Sequence, residues 1–196
     1  MAEKLPNPKK YTPKPYEQMQ YPGQRVQIDV KFVPKVCIVG QAEPTQWYQY
    51  TFIDEYSRFR YLEAFTEHST YSSALFIQHC VKRFPYAIEC VQTDNGTEFT
   101  NRLVGGKEPK PTLFEQTLAQ LGIRHKLIKP YTPRHNGKVE RSHRKDNEEF
   151  YASHRFFSFD DFKKQLSVRE RSYNHFPIRP LNWNSPAYVL EAFPNL

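Results

Sequence analysis

Residues 25–33, RVQIDVKFV, alternate strictly between apolar and polar. Val26, Ile28, Val30 and Phe32 fall on one side, and Arg25, Gln27, Asp29 and Lys31 on the other. A sustained period of two predicts a β-strand. Residues 46–54 (QWYQYTFID) and 58–65 (RFRYLEAF) are rich in aromatic and β-branched side chains and predict two further strands, joined by the short turn at 55–57. Three strands with short connections predict an antiparallel meander.

The period then changes. Across 70–84, Tyr71, Ala74, Leu75, Ile77 and Val81 recur at helical spacing, with Ser69 or Thr70 able to cap the start. Residues 88–93 (IECVQT) predict a short strand ending at Asp94. A loop rich in Gly, Pro and Lys follows at 101–111, then a helix over 112–121 stopped by Gly122. Residues 123–128 predict another strand. Beyond it, 129–148 (KPYTPRHNGKVERSHRKDNE) turns at Asn136-Gly137 and then carries one aliphatic side chain, Val139. A helix that is polar nearly all round is not expected to be held by burying a face. A helix from Phe159 through Arg171 and a short one after Ser185-Pro186 close the chain. Meander, helix, strand, helix, strand, helices predicts an α/β fold, a mixed five-stranded sheet (the antiparallel three-strand meander plus two further strands) flanked by helices.

Composition adds a boundary and a partner. The first 22 residues, with Pro6, Pro8, Pro13 and Pro15 among lysines, read as a basic tail or linker, leaving 23–196 as one core domain with a C-terminal helical extension. A net charge of +7 favours a polyanion such as nucleic acid. Cys37, Cys80 and Cys90 are odd in number and contain no C-x-x-C pair, so they read as buried thiols rather than disulfides or zinc ligands. The chain has no long apolar run, so the expectation is a cytoplasmic protein without a membrane partner.

Three acids invite a functional reading, each with an ordinary alternative. Asp29 sits mid-strand, where Asp is disfavoured, yet suits a solvated polar face. Asp94 precedes Asn95-Gly96, which is also ordinary turn chemistry. Glu140 suits the start of a helix, where an acid complements the dipole. Taken together, carboxylates from separate elements can converge on hard divalent cations. Arg134, Lys138, Arg141, Arg144 and Lys145 around Glu140 would keep it ionised.

VQIDVKF around Asp29, QTDNGTEF around Asp94 and KPYTPRHNGKVER around Glu140 resemble the three acidic motifs of the integrase catalytic core, shared by retroviral integrases and bacterial insertion-sequence transposases. Residues 52–65 resemble the family's second and third strands, and 173–190 its C-terminal signature. The resemblance covers about 23–193 and is greatest to the bacterial transposases. It implies a ribonuclease-H-like fold and a DDE-type polynucleotidyl transferase, in which Asp29, Asp94 and Glu140 hold two Mg²⁺ or Mn²⁺ ions per site. It also implies cleavage and strand transfer of DNA ends by a homo-oligomer on DNA in the bacterial cytoplasm, with no small-molecule cofactor. Asn95, Arg134, Asn136, Lys138, Arg141, Arg144 and Lys145 are the expected DNA contacts. The interval from Asp94 to Glu140 is longer than in compact retroviral members, with the surplus placed in 101–111. Upstream of Asp29 the chain has neither a zinc module nor a helix-turn-helix.

Two rivals share these features: a ribonuclease-H-like nuclease that only hydrolyses, and an inactive domesticated DNA-binding protein. Among other residues, Asp54 is expected in a turn or ion pair with Arg58, and Glu98 at the surface. His79 and His125 read as structural, and Trp47 and Trp183 as core.

Overall fold

The computed structural model describes residues 17–41, 45–104, 109–128 and 137–194. Strands β1 (Val26–Phe32), β2 (Tyr48–Asp54) and β3 (Arg60–Phe65) form the expected antiparallel meander. Asp54 makes the β2–β3 turn: its carboxylate accepts from the Ser57 N–H and hydroxyl, both at 2.7 Å, and from Gly23 N–H at 2.9 Å. Helix α1 (Thr70–Arg83) starts at Ser69, whose hydroxyl accepts from Ser72 N–H, and ends in Lys82 and Arg83, where cations complement the helix dipole. It leads to β4 (Cys90–Thr93), parallel to β1. Helix α2 (Leu113–Gln120) begins in a capping box between Thr112 and Glu115. It gives way at Gly122, where φ is +68, to β5 (Arg124–Leu127), parallel to β4. The sheet order is β3-β2-β1-β4-β5, the mixed five-stranded arrangement expected. Helix α3 (Gly137–Asp146) runs into a π-turn (Asn147–Tyr151), followed by α4 (Phe159–His175) and α5 (Pro186–Glu191).

One face of the sheet is apolar. Val26, Ile28, Tyr50, Phe52 and Tyr61 pack with Phe76, Ile77 and Cys80 of α1 and Phe114 and Leu118 of α2. The other face is divided. Leu62 and Ala64 pack with Trp47, Phe150, Tyr151, Phe162 and Leu166, while Gln27, Gln49, Thr51 and Arg60 are buried polar residues. Helix α3 covers that polar part. Val139 N–H donates to Gln27 Oε1 at 3.1 Å, and Asp146 takes both terminal guanidinium nitrogens of Arg60, the Gln49 amide at 2.9 Å and Arg169 Nε at 3.0 Å. The helix therefore does bury a face, contrary to the expectation from its sequence: beside Val139 that face is polar and is anchored chiefly through Asp146. The Ser142 hydroxyl and Arg60 Nε are left without a hydrogen-bond partner among the described residues.

The outer edge of β3 is closed by side chains of α4. Asn174 accepts from Arg60 N–H at 2.9 Å and donates to Arg60 C=O at 2.7 Å, and Glu170 accepts from Leu62 N–H. Residues 17–22, read as tail, lie on the fold: Met19 is buried and the Tyr21 hydroxyl donates to Glu89 at 2.8 Å. The three cysteines are buried free thiols. In loop 101–111, Leu103 and Val104 are exposed. Trp47 is core, but Trp183 is 68% exposed with φ +64, on a tight turn rather than in the interior. Among the described residues no helix is long and apolar enough to cross a membrane.

Candidate active site

The polar side of β1 carries Asp29 beneath α3, the end of β4 carries Asp94, and the first turn of α3 carries Glu140. Asp29 is pushed up to about 7, first by burial and then by the charge of Asp94, with Glu98 and Glu140 adding to it and the Val30 N–H opposing at 2.9 Å. Burial also raises Asp94, where Glu98 adds to the shift while the Gly96 N–H, 2.9 Å from Oδ1, and the His68 charge oppose it. Glu140 is exposed, and partial desolvation and then the charge of Asp94 raise it. The three acids thus lie in one another's field. The cations of α3 do not hold Glu140 below its ordinary value, as its neighbours in sequence suggested. They are spent elsewhere: Arg144 lies 3.9 Å from Glu148 and Lys145 3.5 Å from Glu149.

The fold places the expected contacts differently from one another. Arg141, Arg144 and Lys145 are exposed along α3. Lys138 is turned inward, its ammonium 2.8 Å from Glu55 Oε2 and 3.0 Å from Glu55 C=O. Burial lowers it to about 8, helped by the charge of Arg58 and opposed by Glu55. Glu55 also receives Arg25 at 2.8 Å and Gln27 at 2.9 Å, so Lys138 pins the start of α3 to the sheet rather than offering a charge to solvent. The Asn95 amide donates to Ile128 C=O at 2.9 Å, tying the Asp94 turn to the end of β5 instead of facing outward. Arg134 and Asn136 lie outside the described residues, as does the surrounding 129–136.

Two residues that sequence reasoning passed over stand beside the acids. His143 lies three positions beyond Glu140, a spacing that shares a helix face. Its Nδ1 is 3.4 Å from Asp29 Oδ2 and its Nε2 is 2.9 Å from Thr51 Oγ1. Burial, and then the charge of Arg60, lower it to about 3, so it is a neutral ring at physiological pH. Glu98, expected at the surface, is 7% exposed. Its Oε1 is 2.9 Å from His68 Nε2, a close contact that is not a well-aligned hydrogen bond and that favours the protonated ring. His79 and His125 have local partners, Glu63 at 3.0 Å and Thr93 at 2.9 Å.

The donors are all carboxylate oxygens, a set suited to hard divalent cations. Among the described residues no three His, Cys, Asp or Glu side chains already stand in ligating geometry.

Residues 20–133 match the family model described as integrase core domain, and 121–186 match a second model of the same description. The putative integrase ORF3 of Spiroplasma virus SpV1-C74 is 27% identical over 175 residues, covering 85% of this chain and 47% of that protein. The chain thus spans about half the length of that relative. A chain of the simian T-cell lymphotropic virus intasome structure, solved in complex with the PP2A regulatory subunit B56 gamma, superposes with a TM-score of 0.71 at 19% identity, over 97% of this chain and 63% of that one. The HTLV-2 integrase catalytic core domain in complex with magnesium gives 0.61 at 12% identity, over 87% and 97%. The BIV integrase core gives 0.58 at 19%, over 86% and 94%. The sheet order, the flanking helices and the family match over more than half of the chain agree: the chain belongs to the integrase core domain family.

Proposed function

We propose that this chain is the catalytic core of a DNA transposase or integrase that cleaves phosphodiester bonds and transfers DNA strands with the help of divalent metal. The reading is supported by three carboxylates on separate elements, Asp29 on β1, Asp94 after β4 and Glu140 on α3, with the charge of Asp94 raising both of the others. Mutual repulsion of this kind is relieved by a bound cation. The magnesium complex of the HTLV-2 core, a protein of the same fold, supports the choice of metal.

In this reading Asp29, Asp94 and Glu140 would hold two Mg²⁺ or Mn²⁺ ions, which would supply activation of a water or 3′-hydroxyl and charge stabilisation at the leaving oxygen. The chain's own residues do the rest. His143, held at Nε2 by the Thr51 hydroxyl, orients Asp29 from the covering helix. Arg141, Arg144 and Lys145 hold phosphates beside the scissile bond, positioning the DNA without reading its sequence. The partner is DNA, bound by more than one copy of the chain, as the intasome and the dimeric and trimeric HTLV-2 cores suggest by analogy.

Asp29→Asn, Asp94→Asn and Glu140→Gln should each abolish strand transfer with the fold intact, because each removes ligand charge and little volume. Activity above a few per cent of wild type in one of them would take that residue out of the site. Supplying a free 3′-hydroxyl end and looking for joined products separates transfer from hydrolysis alone. Metal-dependent nicking separates both from an inactive DNA-binding protein.

A further inference from the structure

The carboxylate of Glu98 lies against the backbone of Gly96. A β-carbon at Gly96 would stand 2.4 Å from Glu98 Oε2 and 2.6 Å from Oε1, so the absent side chain is the seat of the carboxylate. Gly96 N–H donates to Asp94 Oδ1 at 2.9 Å, and Gly96 C=O accepts from Phe99 and Thr100 N–H at 3.0 and 2.9 Å. On its far side Glu98 meets His68, between β3 and α1, at 2.9 Å. The His68 ring is itself fixed, stacked on Tyr48 with centroids 5.3 Å apart and edge-on to Phe32 at 5.2 Å. A continuous line of contacts runs from this aromatic pair through His68 and Glu98, across Gly96, to Asp94. A carboxylate buried beside two others is costly unless it is paired and has a use.

We propose that Glu98, anchored by His68, is a positioning residue that holds the turn at 94–96 and so presents the Asp94 carboxylate to the metal. The inference rests on the metal-site reading above and deepens it. Glu98 acts through the turn and not as a ligand, since its carboxylate is engaged by His68 on one side and seated on Gly96 on the other. Groups that orient metal ligands in this way are typically worth roughly 10–100-fold in metal affinity.

The test is Mn²⁺ binding to the full chain, followed by loss of the free-ion electron paramagnetic resonance signal, with thermal denaturation and metal-dependent cleavage measured on the same samples. Glu98→Ala and His68→Ala should each weaken Mn²⁺ binding by roughly tenfold or more, and the double variant should bind no worse than Glu98→Ala, because both act along one line. Glu98→Gln keeps the shape and the contact with His68 and should recover most of the affinity. Gly96→Ala displaces the mobile end of Glu98 without disturbing backbone, so it should fold and still lose affinity, which keeps the test alive if Glu98→Ala does not fold. Wild-type affinity in Glu98→Ala, His68→Ala and Gly96→Ala overturns the proposal. A Glu98→Gln variant as weak as Glu98→Ala, beside a harmless His68→Ala, makes Glu98 a ligand and overturns it too. Failure of wild type to bind Mn²⁺ at all is a different result: it removes the metal-site reading, and this inference with it.

Discussion

Helices α1 and α3 cover opposite faces of the same sheet by opposite means. Helix α1 buries Ala74, Phe76, Ile77 and Cys80 against strand side chains of the same character. Helix α3 buries Val139, Ser142 and Asp146, and its seat is Gln27, Gln49, Thr51 and Arg60. Apolar contact is non-directional and accommodates small shifts by repacking. A face of hydrogen bonds and charges is satisfied in one register and leaves costly unpaired groups in any other. In the proposed reading Glu140 belongs with Asp29 and Asp94, and the helix that carries it is the one seated on the directional face. Specificity of placement, rather than stability, accounts for the polar face, since a well-packed apolar pair often matches or exceeds a buried ion pair in stability.

The largest break in this contrast comes from removing one partner of the buried pair. Asp146→Ala or Arg60→Ala leaves an uncompensated buried charge and should cost about 3–5 kcal/mol in urea denaturation. The paired replacement Arg60→Met with Asp146→Leu should recover much of that loss yet leave metal-dependent cleavage low, because the register of α3 is no longer specified. Full activity in the paired variant would show that placement of Glu140 does not depend on the polar seat.

A smaller effect follows from acid. Burial alone would raise Asp146, but the charge and hydrogen bonds of Arg60, with Gln49 and Arg169, bring it down to about 2. A carboxyl depressed in the folded state stabilises fully above its unfolded pKa of 3.8, and the contribution is lost as pH falls from there through about 2. The shift corresponds to roughly 2 kcal/mol. Wild type should therefore lose that much more stability than Asp146→Asn between about pH 5 and pH 2, compared by denaturant titration at each pH. Parallel curves for the two proteins would contradict it.

On the apolar side, Ile77→Val should cost about 0.5–1.5 kcal/mol with cleavage unchanged, since the sheet supports α1 in many near-equivalent packings. The smallest stability effect belongs to the exposed cations. Arg144→Ala and Lys145→Ala each break one solvent-exposed pair worth about 0.3–0.5 kcal/mol. DNA binding is the sharper readout: each should weaken it for all duplexes alike and flatten the salt dependence by about one unit for every phosphate left without its cation. Arg144→Ala should also lower cleavage beyond its effect on binding. A hundredfold preference for one sequence would mean that the core reads bases.

Elements that pack on apolar partners were legible in the sequence as strand or helix, because their periods differ, although β1 buries Gln27 as well as Val26 and Ile28. The β1 alternation and the α1 repeat gave those elements within a residue or two at each end. Tyr71 and Val81 of the α1 repeat are nevertheless exposed, and the buried face runs through Ser73, Phe76, Ile77 and Cys80. Asp29, Asp94 and Glu140 were singled out by the resemblance of their motifs, since each local setting taken alone has an ordinary reading. What escaped was the destination of charged side chains. Glu98 reads as surface because its partner, His68, is thirty residues upstream, and no local pattern announces the pair. Lys138 and Asn95 have the composition of DNA contacts, yet Glu55 and Ile128 claim them across the fold. The polar character of α3 was plain, but its seat is assembled from β1, β2 and β3, so a reading along the chain sees no buried face. Trp183 misled in the other direction, since size and aromaticity say nothing of a tight turn that lifts it into solvent.

The side chains of Asn174 and Glu170 at the rim of β3 bear on how copies of this chain can assemble. Four helical residues rise about 6 Å, close to the roughly 6.6 Å between alternate strand residues, so one face of α4 meets the outward backbone groups of Arg60 and Leu62 in step. An unpaired rim is an open template for a strand from another molecule. Here two amide and carboxylate groups occupy it as a sixth strand would. Growth of a continuous sheet from one copy to the next is blocked on that side, and multimers that meet there must do so through helix surfaces, where contacts form and separate without any strand being unzipped.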